Sequence, residues 1–218
     1  MDMPLLNLIT SQLSSITAIS TGMISSFTHV VTGPDHLAAV TPMSVQNNRI
    51  AWRIGIAWGI GHLTGIAVIG GLFLLFKEDI PLEAISAYSE KLVAWILIGI
   101  GLLGFYKISK NQSSNIPEIT GNSRDQLFYS FGIGIVHGLA GVSHFILLLP
   151  ILSFKSELIG MLYLFGFAMG TISAMTLYTF LIGKTAQLST SSDHLMFKLR
   201  IFASLFAFVI GCYWLYLA

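Results

Sequence analysis

Long apolar runs dominate this chain, and six of them approach the length of a membrane span. They fall at about 13–33, with an extension through Leu37-Ala38-Ala39-Val40 to Pro42 as an option, and at 53–76, 92–108, 127–152, 157–183 and 200–217. A helix needs roughly 20 mostly apolar residues to cross about 30 Å of hydrocarbon. The longest polar stretch, 107–126, is too short and too rich in Ser and Asn to bury a core of its own. The pattern predicts an all-α, polytopic membrane protein with six transmembrane helices and a single transmembrane domain over 1–218.

Composition agrees. Of 218 residues 54% are apolar and 10% charged, against roughly 25% charged in an ordinary soluble domain. Mean hydropathy is +0.78. The net charge of +1 gives no footprint for nucleic acid, and none is expected as a partner; the bilayer is. The placement of the charges says more. Arg49, Arg53, Lys107, Lys110, Arg124, Lys184, Lys198 and Arg200 follow windows 1, 3 and 5, whereas Lys77, Lys91 and Lys155 fall on the other side. By the positive-inside rule the first group marks the cytoplasm of a plasma or inner membrane, with both termini outside. No Lys or Arg precedes the first window, so no signal peptide is expected and the first helix stays. Cys212 is alone, which excludes an internal disulfide and a dithiol redox pair.

A repeat lies in the histidines. His29-Val-Val-Thr-Gly-Pro-Asp-His36 and His137-Gly-Leu-Ala-Gly-Val-Ser-His144 share the spacing H-x3-G-x2-H at an offset of 108 residues, which also pairs Gly33 with Gly141 and Pro42 with Pro150. With one gap, Trp58-Gly59 faces Phe165-Gly166 and Thr64 faces Thr171. Repeat 1 then spans about 13–108 and repeat 2 about 127–217, three spans each. An odd number of crossings starts the second half on the opposite side of the membrane, giving an inverted 3+3 repeat, an arrangement of secondary transporters.

Asp35 reads as the sole carboxylate deep in the membrane, where ionisable groups are costly and usually face a cavity or a pathway. A carboxylate among neutral imidazoles suits a divalent transition metal. In an unbroken helix His29 and His36 lie on one face but about 10 Å apart, too far to share an ion bound at roughly 2 Å. Either the helix breaks at Gly33-Pro34, or each histidine serves a different stop on a path; Gly33-Pro34 simply ending the helix at the surface is the plainer alternative. The same question holds for His137 and His144. His62, among small residues in Gly-Ile-Gly-His-Leu-Thr-Gly, can project into the same cavity, although a lone intramembrane histidine often only bonds a neighbouring helix. His194 reads as a loop residue, and the many glycines as helix-packing contacts.

These motifs, His29 to Pro42, Trp58 to Gly65 and His137 to His144, resemble the nickel/cobalt transporter superfamily, in particular its UreH-like and HupE/UreJ-like branches, over about 20–175. The resemblance implies that His29, Asp35 and His36 bind metal and that Gly61-His62 matches the Gly-His motif of the next helix. The better-known permeases have eight helices and a shorter His-to-Asp-His spacing. The expected function is therefore a secondary carrier of a divalent transition metal, nickel or cobalt first, with manganese, iron or zinc as alternatives. His29, Asp35, His36, His62, His137 and His144 supply the site. No permanently bound cofactor and no enzyme activity are expected; a homo-oligomer and a link to metalloenzyme maturation are compatible with this reading. No G-x4-G-K-[ST] loop provides for ATP. A haem or other electron-transfer protein with axial histidines is the alternative. A hydrolase lacks HExxH and GxSxG.

Overall fold

The computed structural model describes residues 3–76, 82–110, 123–140, 154 and 156–217. Among them are seven α-helices: α1 (Met3–Thr32), α2 (Pro34–Gln46), α3 (Ala51–Phe76), α4 (Leu82–Ser109), α5 (Ser123–Leu139), α6 (Glu157–Ser189) and α7 (Asp193–Leu217), with one 3₁₀ turn at Asn48–Ile50. Among the described residues four stretches are long and apolar enough to cross a membrane: Asn48–Leu72, Ala87–Ser109, Glu157–Ser189 and Asp193–Leu217. The window at 13–33 lies in α1, where many Ser and Thr residues dilute the apolar run. The window at 127–152 starts in α5, and its part from 141 onward, with His144, Gly141 and Pro150, lies outside the described residues.

Several hydroxyls of α1 are satisfied inside the helix. Thr17 donates to Leu13 O at 2.7 Å and Thr32 to Thr28 O at 2.8 Å, the back-bonding that lets such residues sit in apolar surroundings. The chain then breaks at one residue. Pro34 disfavours helical geometry in the residue before it, and Gly33 is extended at φ −82°, ψ 101°, after which Pro34 opens α2 at its first turn. Pro42 does not stop α2, which continues to Gln46, four residues beyond the expected limit.

Helix α2 is the buried axis of the bundle. Its His36, Ala38, Ala39, Val40, Thr41, Ser44 and Val45 are buried, and it touches α3, α4, α5, α6 and α7. Around it α1 runs along α6, α3 packs against both α5 and α6, and α4 pairs with α7. Val30, Val40, Ile54, Trp58, Ala174 and Met175 form one core cluster between α1, α2, α3 and α6. The outward faces carry large apolar side chains, such as Leu92, Trp95 and Leu102 on α4 and Phe202, Leu205 and Val209 on α7. Such exposure is ruinous in water and favourable against lipid.

Glycines bring the helices into backbone contact. A Cβ on Gly61 would run into Phe131 O, one on Gly65 into Ile135 O, one on Gly134 into Trp58 O and one on Gly138 into His62 O, so α3 and α5 touch over two turns. This is the close approach that small residues permit in membranes.

Candidate metal centre

The break at Gly33 gathers the first histidine pair. His29 ends α1 and His36 begins α2, and their ring centroids lie 5.0 Å apart rather than seven helical residues apart. Of the alternatives left open by the spacing, the broken helix is the one observed. Gly33 is needed here for space rather than for its dihedral angles: a Cβ would collide with Nδ1 of His36 and approach its Cε1 to 2.8 Å.

His62 comes from α3, with its ring centroid 5.3 Å from that of His36. One ligand nitrogen from each of His29, His36 and His62 lies within 4.8 Å of the others. Bonds near 2 Å put the donors around one ion at most about 4 Å apart, so closing the set needs a movement of less than about 1 Å. Asp35 Oδ2 lies 3.7 Å from His36 Nε2. His137, on α5, faces the same group with its ring 5.9 Å from His36. Its Nδ1 donates to Ile133 O at 3.0 Å, which fixes the neutral tautomer and leaves the Nε2 lone pair for a ligand role. The structure therefore brings together His29, Asp35, His36, His62 and His137; His144 lies outside the described residues.

Two residues missed by sequence reasoning complete the surroundings. Trp58, fully buried one turn before His62, stacks on its ring at 4.7 Å and 13°, and lies 5.3 Å from His36 and 5.5 Å from His137. It acts as an apolar floor that restrains three imidazoles. The second is Glu90. Helix α4 starts ten residues before the window that hydropathy marks, and Glu90 on this extra stretch lines a cavity of about 280 Å³ together with His29, Gly33, Asp35, His36 and Trp214. Asp35 is thus joined by a second carboxylate, correcting the expectation that it stands alone. His194, read from the sequence as a loop residue, is exposed and lies in the first turn of α7.

What the arrangement offers is a ligand set of neutral nitrogens and hard oxygens, with no thiolate, at the end of a cavity large enough for an ion and several waters. The four imidazoles come from four helices, α1, α2, α3 and α5, so small relative movements of these helices change the set.

The chain is 32% identical over 206 residues to Chloroplast protein FOR GROWTH AND FERTILITY 2 of Arabidopsis thaliana, a match covering 90% of this chain and 55% of that protein. It is 30% identical over 217 residues to Chloroplast protein FOR GROWTH AND FERTILITY 1 of the same plant, covering 90% and 58%. The chain spans little more than half the length of these two relatives. To Urease accessory protein UreH of Bacillus sp. (strain TB-90) it is 27% identical over 183 residues, covering 79% of this chain and 78% of that protein. No family model and no solved structure matches. The chain is an all-helical, membrane-type protein and a distant homologue of UreH.

Proposed function

We propose that this protein is a secondary carrier of divalent transition-metal ions. The observation that carries the reading is the broken helix at Gly33, which collects His29, His36 and His62 within ligand distance of one another and sets Asp35 beside them. Neutral imidazoles alone leave a divalent ion uncompensated in a medium of low dielectric constant, and Asp35 offsets one charge while Glu90, lining the approach, offsets another. His137 and His144 serve as further ligands or relay points. Nickel or cobalt is the substrate expected from the resemblance of the motifs to the nickel/cobalt transporter superfamily, and the similarity to UreH supports that branch.

We further propose six spans in an inverted 3+3 repeat, in an inner or plasma membrane with both termini outside. The packing supports it. Helix α1 lies along α6 as α5 lies along α3, the exchange expected when first and second halves swap roles. At the offset of 108 residues that relates the histidine motifs, Gly22-x3-Ser26 on α1 matches Ser130-x3-Gly134 on α5. Both pairs face their partner helix: Ser26 donates to Phe167 O at 2.7 Å and Ser130 to Ile54 O at 2.8 Å, while Gly22 and Gly134 abut backbone.

Metal ligation requires unprotonated imidazole, so each ion bound displaces protons, and a proton gradient is the natural coupling for a chain without an ATP-binding loop. The haem alternative gains nothing, because ring centroids 5.0–5.9 Å apart leave no slot for a macrocycle between axial ligands. The test is uptake of nickel, cobalt, manganese, iron and zinc into proteoliposomes by the native chain, His36→Ala and Asp35→Asn. Saturable uptake of one metal, lost in both variants, is expected. Equal uptake by native and Asp35→Asn protein refutes the charge-compensating role, and no uptake of any metal with no metal bound to the purified protein refutes the carrier.

A further inference from the structure

A second cavity, of about 350 Å³, lies at the other end of α2, among the ends of α2, α4, α5 and α7. Its chemistry is the reverse of the first. Lys107 near the end of α4 and Arg200 in the second turn of α7 line it, and among the described residues Lys107 Nζ and Arg200 Nε are buried without a hydrogen-bond partner. The packing of α4 on α7 forces these two cations together: Gly104, one turn from Lys107, lies against the side chain of Ser204, one turn from Arg200. Two like charges held in a partly buried site repel each other and lose hydration, which costs stability unless an anion lies between them. The rest of the wall is mainly apolar, with Val45, Ile100, Leu103 and Ile133. Leu103 is half exposed on the outward face of α4, so the cavity adjoins the lipid-facing surface.

We propose that this cavity binds an anionic phospholipid, with the headgroup phosphate on Lys107 and Arg200 and the upper acyl chain along the Leu103 side. A divalent cation is excluded by the two fixed positive charges, and a small inorganic anion makes no use of the apolar wall. Basic pockets between transmembrane helices are the usual form of such sites. The inference stands apart from the metal reading, since none of these residues belongs to the histidine cluster.

The test is native mass spectrometry and thermal unfolding of the full chain in nanodiscs of phosphatidylcholine alone or with phosphatidylglycerol. Retained phosphatidylglycerol and a higher unfolding temperature are expected for the native protein. Affinity should fall about fivefold for each cation removed in Lys107→Gln and Arg200→Gln. Leu103→Trp keeps both charges, fills the acyl side and should also lose lipid, whereas Lys107→Arg should retain it. Equal phosphatidylglycerol retention by the native and double-Gln proteins overturns the site. The same stabilisation by inorganic phosphate in phosphatidylcholine overturns the lipid as its ligand. His36→Ala should bind phosphatidylglycerol normally, so a failure of metal transport and a failure of this site are distinguishable.

Discussion

Gly33→Ala separates the proposed metal site from the fold. The native φ of −82° and ψ of 101° are open to alanine, and the extended conformation is the one that Pro34 imposes in any case, so the backbone cost is small. The added methyl instead meets Nδ1 of His36, with Cε1 at 2.8 Å and Asp35 Oδ1 at 3.2 Å. The imidazole cannot swing clear cheaply, because it is enclosed by His29, Trp58, His62 and His137 at ring distances of 5.0–5.9 Å. Turning it about 30° off its rotamer costs about 0.5–1.5 kcal/mol, which bounds the loss of folding stability. Metal affinity should suffer more, since disturbing the group that orients a ligand typically costs about 10–100-fold. Gly71→Ala is the control: an added methyl there has nothing within 4 Å, and the helix gains up to about 1 kcal/mol. Calorimetric titration with nickel or cobalt and thermal unfolding of both variants decide the matter. Native-like affinity in Gly33→Ala, or an affinity loss no larger than the stability loss, refutes the reasoning.

Four further outcomes are expected. Gly138→Ala drives a methyl into His62 O across the α3–α5 contact and should cost about 1–3 kcal/mol, with an unchanged unfolding temperature arguing against backbone contact there. Ser26→Ala and Ser130→Ala each remove a buried bond to a neighbouring helix, at 2.7 and 2.8 Å, worth about 0.6–1.7 kcal/mol apiece; the two losses should add, and strong coupling in the double variant would show that the interfaces are not independent. Glu90→Gln should raise KM for metal uptake more than it lowers kcat, since the charge is lost from the approach; an unmoved KM excludes that role. His36→Leu with His62→Leu should abolish metal binding while unfolding at or above the native temperature, and a large drop would make these histidines structural.

The helical class and the candidate residues that the fold gathers, His29, Asp35, His36, His62 and His137, were legible because each rests on a local signal. Apolar run length marks α3, α6 and α7 within a few residues at one end or both, and the Gly-Pro step between His29 and His36 marks the break. Glu90 escaped because hydropathy starts a span at its first wholly apolar stretch, whereas the helix starts at Leu82 and carries Glu90, just before that stretch, to the cavity wall. Trp58 escaped because tryptophan in a membrane chain suggests the interfacial belt, which suits the exposed Trp52 at the start of α3 but not a ring stacked on His62. The pairing of Lys107 with Arg200 is invisible in one dimension: 93 residues separate them, and only the α4–α7 contact at Gly104 makes them neighbours.

Stability gives no reason for the composition of this centre. Leucine at the buried positions of His36, His62 and His137 would pack the same space without dehydrating ring nitrogens, and cores in which polar groups are exchanged for apolar ones of similar volume are often the more stable. The chain does the opposite at this centre: it breaks a helix, leaves a cavity beside the break and supports the rings with Trp58. Each of these costs folding energy, and under the proposed function a bound ion would recover it, because ligand bonds to nitrogen would replace the lost hydration and Asp35 would balance part of the charge. A carrier must also release what it binds. Candidate ligands drawn from four helices would meet that need, since withdrawing one helix by a fraction of the bond length would remove a ligand without unfolding any element.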